Sequence, residues 1–390
     1  MSPRRELIER VVRELASHER PSASAGERRA ADWLAHELRR AGCRSVRVEE
    51  ESAHGGYWWP LGLLNAVPLL ASLFGRRPAA LAGAAAAAAV WDDVGGGRLW
   101  FRRRALPRRP THNVVAEAGD PGAGRTIVFV AHHDAAHSGL VFHPALPRIG
   151  MTLMPKQHER AEQSLPIMFG VFLGPLLLGL WGLLGGRPLR AAGTFFATGA
   201  AAAMTDIGAS RVVPGANDNL SAVAVLVALA HELRERPPRG VRVILLSTGS
   251  EESFMEGMQA FARRHFDGLD PESTEFVCLE CLGSPELCVV EAEGMLRMRW
   301  YPDGSRERLA RAGLDSGVQL RRGLRTVAAT DALIALRSGY AVCTLGGVDE
   351  TKFPANYHWP SDTPENLDWR SIDDAVSVCD AYVRGRAAPG

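Results

Sequence analysis

Five short stretches hold side chains whose types and spacing could do chemistry. The apolar run "TIVFV" ends in "AHHDAAHSG", where one residue separates His132 from Asp134. A ligating imidazole commonly donates its second ring N–H to a carboxylate, so an H-x-D pair can supply a ligand and its orienter. His133 and His137 read as neighbours of that pair rather than as ligands. "VRVILLST" runs into "GSEESF" and sets Glu251 beside Glu252 just past a buried strand, a repulsion that water or a metal has to offset. "EFVCLE" ends on Glu280, and the loop "ANYHWPSDTPENLD" carries His358 with Asp362 close behind it. The fifth stretch, "VVPGANDNLSAV", crowds Asn217, Asp218 and Asn219 behind Gly215 at the head of an apolar helical run. One Asp or Asn would cap that helix. On this stretch alone a capped helix after a tight turn is the plain reading, and two of the three polar side chains are then surplus.

Taken together these are two histidines, three carboxylates able to ligate, and one spare glutamate. A two-metal site needs about that inventory: a carboxylate shared by both ions, one His and one more carboxylate for each, and a base for a bound water. His nitrogens with carboxylate oxygens suit Zn²⁺ with an open position.

Such residues need a rigid frame. Strand-like runs ("HNVVAEA", "RTIVFVAH", "GVRVILLST", "EFVCLE", "ELCVVEA", "YAVCTLG") alternate with helical ones at 219–234, 256–264 and from Ser371 onward. That alternation predicts an α/β fold, a mostly parallel sheet sandwiched by helices. The candidate residues fall at or just after strand ends, where ligands gather in such sheets. The amphipathic N-terminus reads as a first helix, "AGERRAADWLAHELRRAG" as a second, and "CRSVRVEE" as a strand. With 45 Lys+Arg against 44 Asp+Glu, no net field points to nucleic acid as a partner. The six scattered cysteines form no disulfide framework, and Cys278 and Cys281 read as strand residues.

Two uncharged blocks interrupt this pattern. Residues 55–75 and 78–91 flank Arg76 and Arg77, and residues 163–186 and 191–205 flank Arg187 and Arg190. About 20 apolar residues span a bilayer, so each block is predicted to be a membrane hairpin: spanning helices over 57–74 and 165–185, each with a returning partner whose Ala and Gly allow close packing. The implied organisation is a catalytic domain built from 1–54, 92–162 and 206–390, interrupted by transmembrane hairpins at 55–91 and 163–205. His132 and Asp218 flank the second block, so sharing a metal requires an even number of crossings between them. Arginines in the flanks outnumber those in the turns, which predicts an integral membrane protein with its catalytic part in the cytoplasm and the lipid bilayer as a partner.

In order and spacing, "AHHD", "GANDNLSAV", "STGSEESFMEGMQAF", "LECLG" and "YHWPSDT" resemble the M28 family of co-catalytic zinc aminopeptidases. The resemblance covers roughly 28–54, 112–154 and 212–384. It implies a zinc-exopeptidase-like fold and two Zn²⁺ per chain. His132, Asp218 and Glu280 would hold one ion, and Asp218, Glu252 and His358 the other, with Asp218 as the bridge. Glu251 would be the general base, Asp134 would orient His132, and the Asp218–Asn219 peptide would be cis. The substrate would be a peptide or aminoacyl compound, hydrolysed at its N-terminal peptide bond. One departure is Glu280, where many members carry Asp, and no oxyanion-stabilising group can be assigned. Two alternatives remain: a glutaminyl-cyclase-like acyltransferase on the same fold, which works with a single zinc, and a non-catalytic membrane receptor or scaffold, which would have lost ligands or base.

Overall fold

A computed structural model of the 390-residue chain describes residues 2–160, 162–163 and 168–387. Among these, nine strands form one mixed sheet: β1 (Arg44–Ala53), β2 (Arg109–Gly119), β3 (Thr126–His132), β4 (Arg242–Thr248), β5 (Thr274–Glu280), β6 (Glu286–Glu293), β7 (Arg299–Trp300), β8 (Arg321–Thr326) and β9 (Ala341–Val348). The spatial order is β1-β2-β4-β3-β5-β9-β6-β7, with β8 beside β6. The four central strands β4, β3, β5 and β9 run parallel, so their carboxyl ends open on one edge. Antiparallel neighbours, β2 on β4 and β6 on β9, close the flanks.

Side chains alternate between the faces, as a pleated strand requires. Ile127 and Phe129 of β3 and Val243 and Leu245 of β4 face one core, packed under the helices Pro3–Ala16, Ala25–Arg40, Ser221–Glu235 and Trp369–Arg384. Val128, Val130, Ile244 and Leu246 face the other, with the helix Glu256–His265. The central strands are apolar on both faces because both are covered.

The two uncharged blocks are part of that second cover. Trp58–Ala71, Arg76–Val90, Phe169–Leu184 and Arg187–Ala209 are helices packed on one another. Leu61, Leu64, Val90, Val171 and Ile207 join the same hydrophobic cluster as Val128 and Leu246. Contact between the helices is close where side chains vanish: a Cβ on Gly83 would stand 2.4 Å from the Gly179 backbone nitrogen.

The membrane-spanning prediction is overturned. Among the described residues no helix is long and apolar enough to cross a membrane. The run 55–75 folds as a helix of 14 residues with Pro68 inside it, followed by a 3-10 turn. A helix of that length reaches only about 21 Å, against a hydrocarbon core of about 30 Å. Phe169–Leu184 has 16 residues, and residues 165–167 of the expected 165–185 span lie outside the described residues. Arg187–Ala209 has the length, with 23 residues, but Ala, Gly and Thr dilute its apolar character. The integral placement and the cytoplasmic orientation that rested on these spans fall with them. The support is for helices flanking a sheet, not for hydrophobic hairpins inserted as membrane elements.

Candidate metal and catalytic site

Each candidate residue sits at the open edge of the parallel strands. His132 and Glu280 are the last residues of β3 and β5; Glu251 and Glu252 follow β4, and His358 lies in the loop after β9. Asp218 precedes the buried helix Ser221–Glu235.

The stretch 217–219 is not a helix cap: neither helix segment there has a side-chain cap. Each of its three polar side chains has a separate task. Asn217 accepts from the Gly283 N–H at 2.9 Å and donates to Ser284 Oγ and the Ala355 carbonyl. Asn219 donates to Glu280 Oε2 at 3.0 Å and to the Leu279 carbonyl, and accepts from the Cys281 N–H. Asp218, between them, stands with Oδ1 at 3.2 Å from His132 Nε2 and Oδ2 at 3.2 Å from His358 Nε2. The Asp218–Asn219 peptide is cis. From outside, Asp362 accepts the Asn217 and Asp218 N–H groups at 2.6 and 3.1 Å.

The glutamate pair is held from behind. Asp134 Oδ1 accepts the Glu251 N–H at 3.0 Å, and Oδ2 accepts the Glu252 N–H at 3.2 Å and the Ser22 hydroxyl at 2.6 Å. His132 Nδ1 lies 3.4 Å from Asp134 Oδ1 and 3.2 Å from the Asp134 carbonyl oxygen. One step further out, Glu27 accepts the Ser250 N–H and hydroxyl as well as groups of Ala23, Thr111 and His112. The fully buried Arg20 donates to the carbonyls of His133, Leu15, Pro214 and Gly215, tying the turn after β3 to the turn before Asp218.

Two clusters result, each with ligand-type atoms within 4.8 Å of one another: His132, Asp218 and Glu280; and Asp218, Glu252 and His358. Asp218 is common to both. A third such group joins His132 with Glu251 and Glu252, and Glu251 Oε2 stands 3.9 Å from His132 Nε2. His133 and His137 are turned elsewhere, towards Ser247 Oγ and the Ser210 carbonyl. No group of this kind among the described residues contains a cysteine.

Sequence reading missed Asp331. It is buried, accepts from the Thr248 hydroxyl, and leaves its other oxygen without a hydrogen-bond partner. Burial pushes its carboxyl up to about 7. Burial also raises Glu251 well above the usual carboxylate range; His132 opposes that, while Glu252, Asp331 and Glu280 add to it. For His358, burial alone would lower the pKa, but Glu252 and Asp218 outweigh it and lift the ring to about 10.

The donor set fits a metal. Asp134, Asp218 and Asp331 are buried and Glu251, Glu252 and Glu280 nearly so, which brings six carboxyl groups together with two imidazoles aimed among them, His358 Nε2 lying 3.2 Å from Glu252 Oε1. Buried anions must be paired or coordinate a cation, and these N and O donors suit Zn²⁺. Next to the cluster opens a cavity of about 180 Å³. Its walls are largely apolar, with Phe254, Met255, Val290, Met295, Leu324 and Val348 among them.

Residues 203–383 match the model of Peptidase family M28. That segment contains Asp218, Glu251, Glu252, Glu280 and His358; His132 and Asp134 lie before it. The fold is similar to a Zn-dependent exopeptidase from Parabacteroides distasonis, at 13% identity and TM-score 0.57 over 98% of each chain. It is similar to an aminopeptidase from Aneurinibacillus sp. strain AM-1, at 13% identity and TM-score 0.58 over 99% of this chain and 94% of that one. It is also similar to the glutaminyl cyclase of Porphyromonas gingivalis, at 14% identity and TM-score 0.54 over 98% and 97%. No curated protein matches the sequence. At these identities the likeness establishes the fold: a large mixed sheet flanked by helices, as in zinc exopeptidases.

Proposed function

We propose that the chain is a two-zinc aminopeptidase that hydrolyses the N-terminal peptide bond of a peptide or aminoacyl compound. The observation that carries this reading is Asp218, whose two oxygens each face a different imidazole nitrogen at 3.2 Å. That is the arrangement a shared carboxylate needs. His132 and Glu280 complete one ligand set, Glu252 and His358 the other. Zinc held there supplies a water of lowered pKa and a Lewis-acid contact for the scissile carbonyl.

The remaining work belongs to the chain. Glu251 Oε2 takes the proton of the attacking water and returns it to the leaving amine. Glu251 Oε2 stands 3.9 Å from His132 Nε2, beside the ligand set, where it can hold that proton between the two steps. Asp134 fixes Glu251 and Glu252 through their amides, so base and ligand move as one unit. The apolar cavity receives the side chain of the substrate's first residue and keeps water from it.

A second reading, glutaminyl cyclisation, draws support from Asp331, a further buried acid beside Glu251 and Glu280. Cyclisation moves a proton from the attacking amine to departing ammonia, and an additional acid would assist. The apolar cavity walls favour hydrolysis of apolar residues over binding of a glutamine side chain.

The test offers purified protein aminoacyl amides and glutaminyl peptides side by side, with and without chelator. Release of amine from apolar aminoacyl amides, abolished by chelator and restored by zinc, supports the peptidase. Ammonia release from glutaminyl peptides alone supports the cyclase and overturns it.

A further inference from the structure

The helix bundle on the second face of the sheet has an end that nothing among the described residues covers. The turns of its two hairpins meet there: the Arg76 guanidinium donates to the Leu183 carbonyl at 2.7 Å. Around that contact Leu73, Phe74, Leu183 and Leu184 are 69%, 82%, 67% and 73% exposed. Trp59, Leu63, Val67 and Leu70 continue the surface along one side of Trp58–Ala71, three or four residues apart and each about half exposed. Large apolar side chains gathered like this mark an interaction site.

Charge selects the occupant. Arg76, Arg77, Arg187 and Arg190 rim the same end, and the sequence has no Asp or Glu from 55 to 91 or from 163 to 205. The patch is thus apolar side chains among cations with no anion of its own. We infer that this end of the bundle rests on an anionic phospholipid bilayer, with Leu73, Phe74, Leu183 and Leu184 in the boundary between headgroups and acyl chains and the arginines at the phosphates. Resting on a bilayer is distinct from crossing it. It requires no helix of spanning length, and arginine stems reach along apolar surface while their heads stay at the phosphates. The inference is independent of the reaction proposed for the metal site.

The experiment is flotation of the purified full chain with vesicles of phosphatidylcholine, with and without phosphatidylglycerol. The chain is expected to float with phosphatidylglycerol vesicles at low salt and to be released as salt rises, since exposed charges are screened. Leu73→Glu with Phe74→Glu should abolish flotation. Arg77→Gln and Arg187→Gln should each lower the partition coefficient about fivefold, the share of one basic side chain at an anionic surface. All four positions are exposed, so melting temperature and metal content should not move. No flotation, or flotation equal on phosphatidylcholine alone, overturns the inference. A dimer in vesicle-free buffer that Phe74→Glu dissolves, without flotation, overturns it in favour of a second copy of the chain.

Discussion

Replacing Asp134 by Asn separates what its carboxylate does from the space it fills. Oδ1 accepts the Glu251 N–H and lies near His132 Nδ1; Oδ2 accepts the Glu252 N–H and the Ser22 hydroxyl. The amide offers one oxygen. With its NH₂ towards Glu251, it would oppose the Glu251 N–H and sit against the imidazole. With its NH₂ towards Glu252, it opposes one amide N–H, while the Ser22 hydroxyl can turn and accept. The second orientation is therefore expected, leaving one buried donor unsatisfied at a cost of about 1–3 kcal/mol. Loss of the charge from the surviving bonds adds about 1 kcal/mol, since bonds to charged groups are about twice as strong as neutral ones. The expected loss of stability is about 2–4 kcal/mol. The glutamate pair loosens with it, and because outer partners of metal ligands typically matter 10–100-fold, metal affinity should fall by about that factor. The assay is a zinc titration against a competing chelator, paired with thermal unfolding. Ser22→Ala, which removes one hydroxyl and leaves both amide bonds, serves as the mild control. An Asp134→Asn chain with wild-type zinc affinity and wild-type melting would refute the reasoning, because Asp134 would then only fill space.

Other outcomes follow from the same geometry. Asn219→Ala removes the donor that holds Glu280 Oε2 and should weaken one of the two ions by about 10–100-fold while sparing the other, read as a biphasic metal titration. Asp218→Ala should take zinc content towards zero rather than to one per chain, measured by elemental analysis; one tightly retained ion would show that Asp218 is not shared. Away from the site, burial pushes the Glu293 carboxyl up to about 7. It is protonated when folded and ionised when unfolded above its ordinary value near 4.3, so unfolding releases a proton and stability falls as pH climbs from about 4.3 to 7. Glu293→Gln should flatten that decline in melting temperature, and an unchanged slope would count against it.

The candidate cluster was more legible than its supports. His132, Asp218, Glu251, Glu252, Glu280 and His358 could be picked out because each follows a strand end or a sharp turn, positions readable from local pattern. Their supports could not be read, because the partners come from far along the chain: Glu27 holds Ser250, Asn219 holds Glu280, and Arg20 ties the turns after His132 and before Asp218 together. Nothing local distinguishes Asp331 from a surface carboxylate. Only folding brings the helix it precedes, Ala332–Arg337, under the sheet. The N-cap reading of 217–219 failed for the same reason, since all three side chains bond to residues 60 or more positions away or face the two histidines. The membrane reading failed differently. Window hydropathy counts apolar residues but does not register that the run 55–75 forms only a 14-residue helix before a 3-10 turn, or that the helix Phe169–Leu184 has only 16 residues. Nor does it register that one side of those helices completes the core under the sheet.

The central claim is that a shared-carboxylate metal site works with Glu251 as its base. It is tested most directly by comparing wild type with Glu251→Gln, both loaded with zinc and assayed for metal content and for hydrolysis of an apolar aminoacyl amide. The account predicts two zinc ions in each protein, and turnover in the wild type that falls by orders of magnitude in the variant. A variant that hydrolyses the amide at the wild-type rate, or a wild type whose rate survives removal of all metal, would contradict it.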